Sequence, residues 1–271
     1  MTTPAAPYPS APNEPSFAHG PNVIGATGGS GTRVVARIVR AGGMFIGTNL
    51  NKSEDALDFG GFSDRWINAY MARRKWPLLR DAVEERMVAD LDAVLARHCA
   101  PLRQSASTRP WGWKEPRSIY LLPFFHRRFP QMKFLHVVRD GRDMAFSENQ
   151  NQLRKHGDTL LKFRERFMSP ALRSIILWNR INLFAAEYGE NILHERYLRV
   201  RFEDLCNDPV PTVQRILDFF DLSGNAHEIA RSEVVPPASL GRWQTEGKKT
   251  ATRVQRVANT ALRKFDYEPL T

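Results

Sequence analysis

The stretch over residues 23–38, VIGATGGSGTRVVARI, constrains the fold more than any other. Two apolar residues run into glycines and small hydroxyls, and a Val/Ala/Ile pattern then recurs at helical spacing. A strand over about 22–26 therefore ends in a tight turn and continues as a helix over roughly 31–42, stopped by Gly42-Gly43. Such a unit leaves unpaired backbone N–H groups aimed at one point, where the helix dipole also favours negative charge. The loop is a cradle for an anion. In the triphosphate-binding version the loop ends in Gly-Lys-Ser/Thr, the lysine on the outer phosphates and the hydroxyl on magnesium. Here it ends Ser30-Gly31-Thr32-Arg33, with no lysine ahead of the hydroxyl.

Charge supports an anionic partner. The 271 residues include 39 Lys and Arg against 29 Asp and Glu, a net +10, which favours a phosphorylated small molecule, a polyanion or an acidic membrane surface. The absence of zinc-finger spacing, of an RNA-binding aromatic signature and of an uninterrupted basic run argues against specific nucleic-acid binding. Cys99 and Cys206 lie far apart without metal-ligand spacing and read as ordinary thiols of a reducing compartment. No apolar run is long enough to cross a bilayer. The first 21 residues lack the basic start and apolar core of a signal peptide, so a soluble, cytoplasmic protein is expected. Their Pro/Ala/Ser-rich composition reads as a mobile arm over 1–21, with one domain over 22–271.

Further along, MFIG (44–47) reads as a second short strand and the polar stretch from 48 to 64 as a loop. Helical periodicity begins at Asp64, breaks at Pro77, and resumes with Leu79, Val83, Met87, Leu91 and Leu95 on one face. A helix through IYLLPFFHRRF ends at Pro130. KFLHVV (133–138) is a nearly continuous apolar run, as in a strand buried on both faces of a parallel sheet. A long helix over about 169–188, an alternating strand over 198–205, a proline-initiated helix over 211–222 and a last helix complete the chain. Strands alternating with long helices predict a single α/β domain with a mostly parallel central sheet flanked by helices, its ligands at the carboxyl ends of the strands.

A second anion clamp follows from FLHVVRDGRDMAFS. The buried strand delivers Arg139, Asp140-Gly141 turns the chain, and Ser147 falls in the opening turns of the next helix, where a guanidinium fork and a hydroxyl meet a helix start. A plain ion pair of Arg139 with Asp143 is the competing reading.

Four segments, GATGGSGTRVVARI, WKEPRSIYLLPFFHRRFPQMKFLHVVRDGRDMAFS, LRVRFEDLCNDP and GRWQTE, resemble in order and spacing the sulfotransferases that use 3′-phosphoadenosine 5′-phosphosulfate (PAPS). The resemblance spans residue 22 to about 250. It implies a P-loop, nucleotide-kinase-like fold in which Gly29, Ser30, Gly31, Thr32 and Arg33 surround the 5′-phosphosulfate. Arg139 and Ser147 then hold the 3′-phosphate, with Lys248, beside Lys249, as a C-terminal basic clamp. It implies no metal, which accounts for the missing magnesium-binding Gly-Lys-Ser/Thr. Gly29 stands where many relatives carry Lys or Arg, and Arg33, in a Gly-Thr-Arg similar to the glycosaminoglycan-modifying branch, makes up the charge. Lys114 in WKEP resembles the Lys-x-Pro lysine that reaches the 5′-phosphosulfate, which implies stabilisation of the leaving group.

The resemblance implies a general base in the loop after the first helix and second strand, where Glu54 is expected to serve with Asp55 and Asp58 as rivals, or a histidine further along, where His126 and His136 lie. His136, inside the buried strand, reads as structural, as do Glu203 and Asp204. The implied reaction is in-line sulfuryl transfer to a hydroxyl or amine of a saccharide, lipid head group or small metabolite. Segments 64–98 and 150–180 are expected to wall the acceptor site. A P-loop kinase or NTPase and a non-catalytic polyanion-binding module are the alternatives, and no feature indicates an oligomeric state.

Overall fold

The structure, a computed structural model, describes residues 20–72, 80–105 and 107–267. Strands β1 (Asn22–Ala26), β2 (Gly112–Lys114), β3 (Lys133–Val138) and β4 (Tyr197–Arg201) form one parallel sheet in the order β2-β1-β3-β4. In register, Ile24 of β1 lies between Lys114 and Leu135. Because all strands run the same way, Lys114, the loop after Ala26 and Arg139 all emerge at one edge of the sheet.

Period-two alternation sends side chains to opposite faces. Ile24, Ala26, Leu135 and Val137 pack under α1 (Thr32–Ala41), while Val23 and Phe134 pack under α2 (Leu57–Ala72), α3 (Arg80–His98) and α4 (Ala100–Gln104). On that second face, a 3-10 turn (Pro116–Leu121) leads into α5 (Leu122–Arg128). After β3 come the short α6 (Gly141–Ala145), then α7 (Asn151–Leu160) and α8 (Pro170–Tyr188). Beyond β4, α9 (Phe202–Asn207), α10 (Pro209–Phe219) and α11 (Ala226–Glu233) complete the α1 face. The last helix, α12 (Lys248–Lys264), packs with α6 and α8 around Val138, Trp178, Val254 and Phe265. Helices on both faces of a parallel sheet make the α/β domain that the sequence predicts.

Four local expectations differ. MFIG forms no strand: Phe45 makes one parallel bridge to Trp111, and Gly47, at φ +106, turns the chain away. The polar stretch becomes helical at Leu57, because Phe59 and Phe62 are buried and Phe59 stacks on Trp113 with ring centroids 4.0 Å apart, outweighing the low propensity of Gly60-Gly61. The strand expected over 198–205 stops at Arg201, since Phe202 turns inward to start α9. Ser147 lies beyond the end of α6 rather than in its opening turns. The break at Pro77, Leu79 and nearly all of the arm over 1–21 fall outside the described residues.

His136 has no exposed surface and is structural. Its Nδ1 lies 2.8 Å from Tyr197 Oη and its Nε2 2.8 Å from Asn182 Oδ1, whose amide in turn donates to Thr27 at the start of the glycine loop. Burial pushes the imidazole pKa down to about 4. The unfolded chain therefore binds the proton first as pH falls. The stabilisation is present above the unfolded value of about 6.5 and is lost progressively toward 4, amounting to about 3 kcal/mol. A Tm–pH series should show this acid limb, and His136→Gln should flatten it.

Candidate active site

The glycine loop takes its shape from two left-handed glycines. Gly29 and Gly31 both sit at φ +82, and a Cβ on Gly31 would lie 2.1 Å from the Phe202 ring. Ser30 Oγ donates to the Thr27 carbonyl at 2.7 Å, so this hydroxyl closes the loop on itself. Helix α1 starts at Thr32 with no side-chain cap and no acid in its first turn, which leaves the positive end of its dipole for an incoming anion. Ser30 and Thr32 are buried and Arg33 is exposed.

At the end of β3, Arg139 is buried and already partnered. Its Nη2 donates to Asp143 at 2.7 Å and to the Ser239 carbonyl, and its Nη1 lies 3.5 Å from the Gly29 carbonyl. Asp143 also accepts from the N–H groups of Gly241 (2.8 Å) and Trp243 (3.1 Å), and the Arg142 guanidinium lies 3.8 Å above the Trp243 ring. The GRWQTE segment is thereby fastened to RDGRD, about a hundred residues earlier. The ion pair foreseen as the competing reading for Arg139 is present, and the same side chain borders the glycine loop. Glu203 accepts from the Asp140 N–H at 2.9 Å and from Tyr267 Oη at 2.8 Å, orienting the turn after β3. Ser147 is half-buried, its hydroxyl accepting from the Asn149 N–H. Lys248 is exposed at the first position of α12.

Lys114 ends β2, one strand from the glycine loop, with 1 % of its surface exposed. Its Nζ donates to Asp55 Oδ1 at 2.5 Å and to the Ser53 carbonyl at 2.7 Å. Burial pulls the ammonium pKa below the ordinary lysine range, against the opposing pull of Asp55. Asn51 shapes the loop that presents Asp55: its Oδ1 accepts from the N–H groups of Ser53 and Asp55, and its Nδ2 donates to Asp55 Oδ2. Glu54, at φ +62, is turned the other way, each carboxylate oxygen held by an arginine of α1, Arg37 at 3.1 Å and Arg40 at 2.9 Å. The structure thus brings Asp55, and not Glu54, to Lys114. Asn51, four residues ahead of Asp55, is the sequence signal for this turn.

A buried polar group next to Lys114 escaped the sequence reading. Glu115 is buried, accepts from Ser63 and Arg117, and burial raises its pKa while Arg117 opposes the rise. Arg117 continues to Asp64 and to the Gly60 carbonyl. A cleft opens beside the glycine loop between Thr27, Gly28, Gln152, Leu153, Leu177 and Trp178, with Gln152 also accepting from Tyr120 Oη. The stretch 150–180 supplies much of its wall, whereas among the described residues none from 64–98 lines it.

A parallel sheet whose inner strand ends in an uncapped glycine loop, with cationic side chains emerging beside it, is the layout of a P-loop-like α/β fold. The sulfotransferase family profile matches residues 30–226, and the chain belongs to that family, whose chemistry is sulfuryl transfer. Among solved structures, the sulfotransferase domain of the Synechococcus PCC 7002 olefin synthase is similar over 99% of this chain and 100% of its own, at 18% identity and TM-score 0.57. The sulfotransferase domain from the curacin biosynthetic pathway matches over 93% and 99%, at 13% identity and TM-score 0.53. Sulfotransferase STF9 from Mycobacterium avium matches over 92% and 78%, at 14% identity and TM-score 0.50. These likenesses are of fold. Among the described residues no cluster of His, Cys, Asp and Glu is arranged to hold a metal, and no helix is long and apolar enough to cross a membrane.

Proposed function

We propose that this chain transfers the sulfuryl group of PAPS to a hydroxyl or amine of a saccharide, lipid head group or small metabolite, within a cytoplasmic setting. The observation that carries the reading is Lys114. The glycine loop lacks the lysine that a triphosphate site places within the loop, and the neighbouring strand supplies a buried one at the same edge of the sheet. The uncapped start of α1 and the side-chain-free backbone at Gly29 and Gly31 fit a 5′-phosphosulfate.

In the transfer, the acceptor oxygen or nitrogen bonds to sulfur as the bond from sulfur to the bridging oxygen breaks, and adenosine 3′,5′-bisphosphate leaves with the electron pair. The N–H groups of residues 29–33 and the Lys114 ammonium neutralise that leaving phosphate. Asp55 holds Lys114 in place and takes the acceptor proton, in preference to Glu54, which is committed to Arg37 and Arg40. Arg139, Ser147 and Lys248 receive the 3′-phosphate.

Calorimetric titration with adenosine 3′,5′-bisphosphate in EDTA tests the reading. Binding without metal is expected, and binding of ATP that requires magnesium would overturn it. Arg139→Ala is an unsuitable probe because it also releases Asp143 and the 239–243 segment. Ser147→Ala is cleaner. Loss of its hydrogen bond to a charged phosphate should weaken adenosine 3′,5′-bisphosphate about tenfold while leaving adenosine 5′-phosphate unchanged.

A further inference from the structure

Between α7 and α8 the chain reads LLKFRERFMSP, with a 3-10 turn over Phe163–Phe167. Phe167 and Phe163 are the two most exposed large apolar side chains among the described residues, at 77% and 74%, and Met168 beside them is 41% exposed. The two rings meet edge to face at 5.2 Å. An exposed apolar group of this kind marks a contact surface.

The exposed charges of the turn itself are cationic. Lys162 and Arg164 are exposed and form no ion pair among the described residues. Glu165, the acid of the turn, is withdrawn: its carboxylate takes Arg180 at 2.9 Å and the Lys162 N–H at 2.6 Å. Arg166 donates to the Asp158 carbonyl and Arg180 to the Leu160 carbonyl, so the turn is tied to α7 and α8 with its rings outward.

We infer that this tip docks the protein on an anionic membrane surface. Rings exposed by three quarters on a five-residue turn project from the surface, a shape suited to insertion at the boundary between head groups and acyl chains. Lys162 and Arg164 then lie at the level of the lipid phosphates, and the net charge of +10 adds long-range attraction. Helix α7 carries Gln152 and Leu153 of the cleft near its first residue and the tip just past its last, so docking keeps the cleft within about one helix length, about 15 Å, of the bilayer. The inference does not depend on the identity of the sulfuryl donor.

Co-sedimentation of the full chain with phosphatidylcholine vesicles, with and without phosphatidylglycerol, tests it. Binding to the anionic vesicles alone is expected. Each lost cation near the surface lowers partitioning about fivefold, so Lys162→Glu with Arg164→Glu should reduce it at least about 25-fold. Phe163→Ser with Phe167→Ser should reduce it at least about tenfold, with Tm unchanged in both variants. Phe167→Trp, which keeps an aromatic ring, should bind as native and gain fluorescence that brominated lipid quenches. Three results would overturn the inference: no binding to anionic vesicles, unaltered binding by the double serine variant, or a native dimer that the serine variant converts to monomer, which would make a second copy the occupant.

Discussion

Replacing Lys114 with methionine is expected to lower kcat by about 10²- to 10³-fold, the usual cost of removing one preorganised donor from a developing anion. Methionine keeps the volume of a buried stem, and Asp55 retains both of its hydrogen bonds with Asn51, so the fold should survive and the loss should appear in catalysis. The pH profile supplies a second readout. If the ammonium form does the work, activity is present below the Lys114 pKa and is lost as pH rises through it. Because burial has lowered that pKa, the alkaline limb should begin below the range of a free lysine. Asp55 pulls that pKa upward and is also the proposed base, so Asp55→Asn should lower kcat across the whole pH range rather than only move the limb. Activity of Lys114→Met within about threefold of native would remove Lys114 from the mechanism, since one such donor is worth far more.

Gly112→Ala should carry the largest stability cost. A Cβ at this position would lie 1.7 Å from the Asn22 carbonyl oxygen and 2.6 Å from its carbon, both backbone atoms of the strand to which Gly112 is paired. Neither side can yield cheaply. Trp113, the next residue, is fully buried against Phe59, and the Gly112 carbonyl lies 2.8 Å from His98 Nε2. Displacing β2 should cost at least about 3 kcal/mol, seen as a fall in Tm of about 6–12 °C in a chain of this size. The shift would also carry Lys114 out of register with Ile24, so the remaining folded protein should lose activity as well. Gly61→Ala is the control: a Cβ there meets nothing within 4 Å, and in the body of α2 alanine should be neutral or stabilising by up to about 1 kcal/mol. Equal melting of both variants and the native chain would mean that β2 is not pinned as described.

Much of the scaffold was legible because its causes are local. The apolar run of β3 and the helical spacing of Met87, Leu91 and Leu95 state their own burial. The glycines of the first loop announce a backbone that only glycine adopts readily. β2 was not legible, since three residues carry no measurable period. Its strand exists because Gly112 admits the backbone of β1 and Trp113 stacks on Phe59, a residue that local propensity assigned to a loop. The choice between Glu54 and Asp55 was equally hidden: adjacent acids look alike in a sequence, and a positive φ at Glu54 sends one to α1 and the other to Lys114.

The sequence by itself determined an α/β chain with a glycine-loop anion cradle and a family-like set of motifs, because glycine conformations, apolar runs and helix periods arise from neighbouring residues. Only the tertiary structure decided the strand order, the partners of Arg139 and the union of Lys114 with Asp55. Those depend on burial and pairing between segments up to about a hundred residues apart, and their energies belong to the contact rather than to either segment alone.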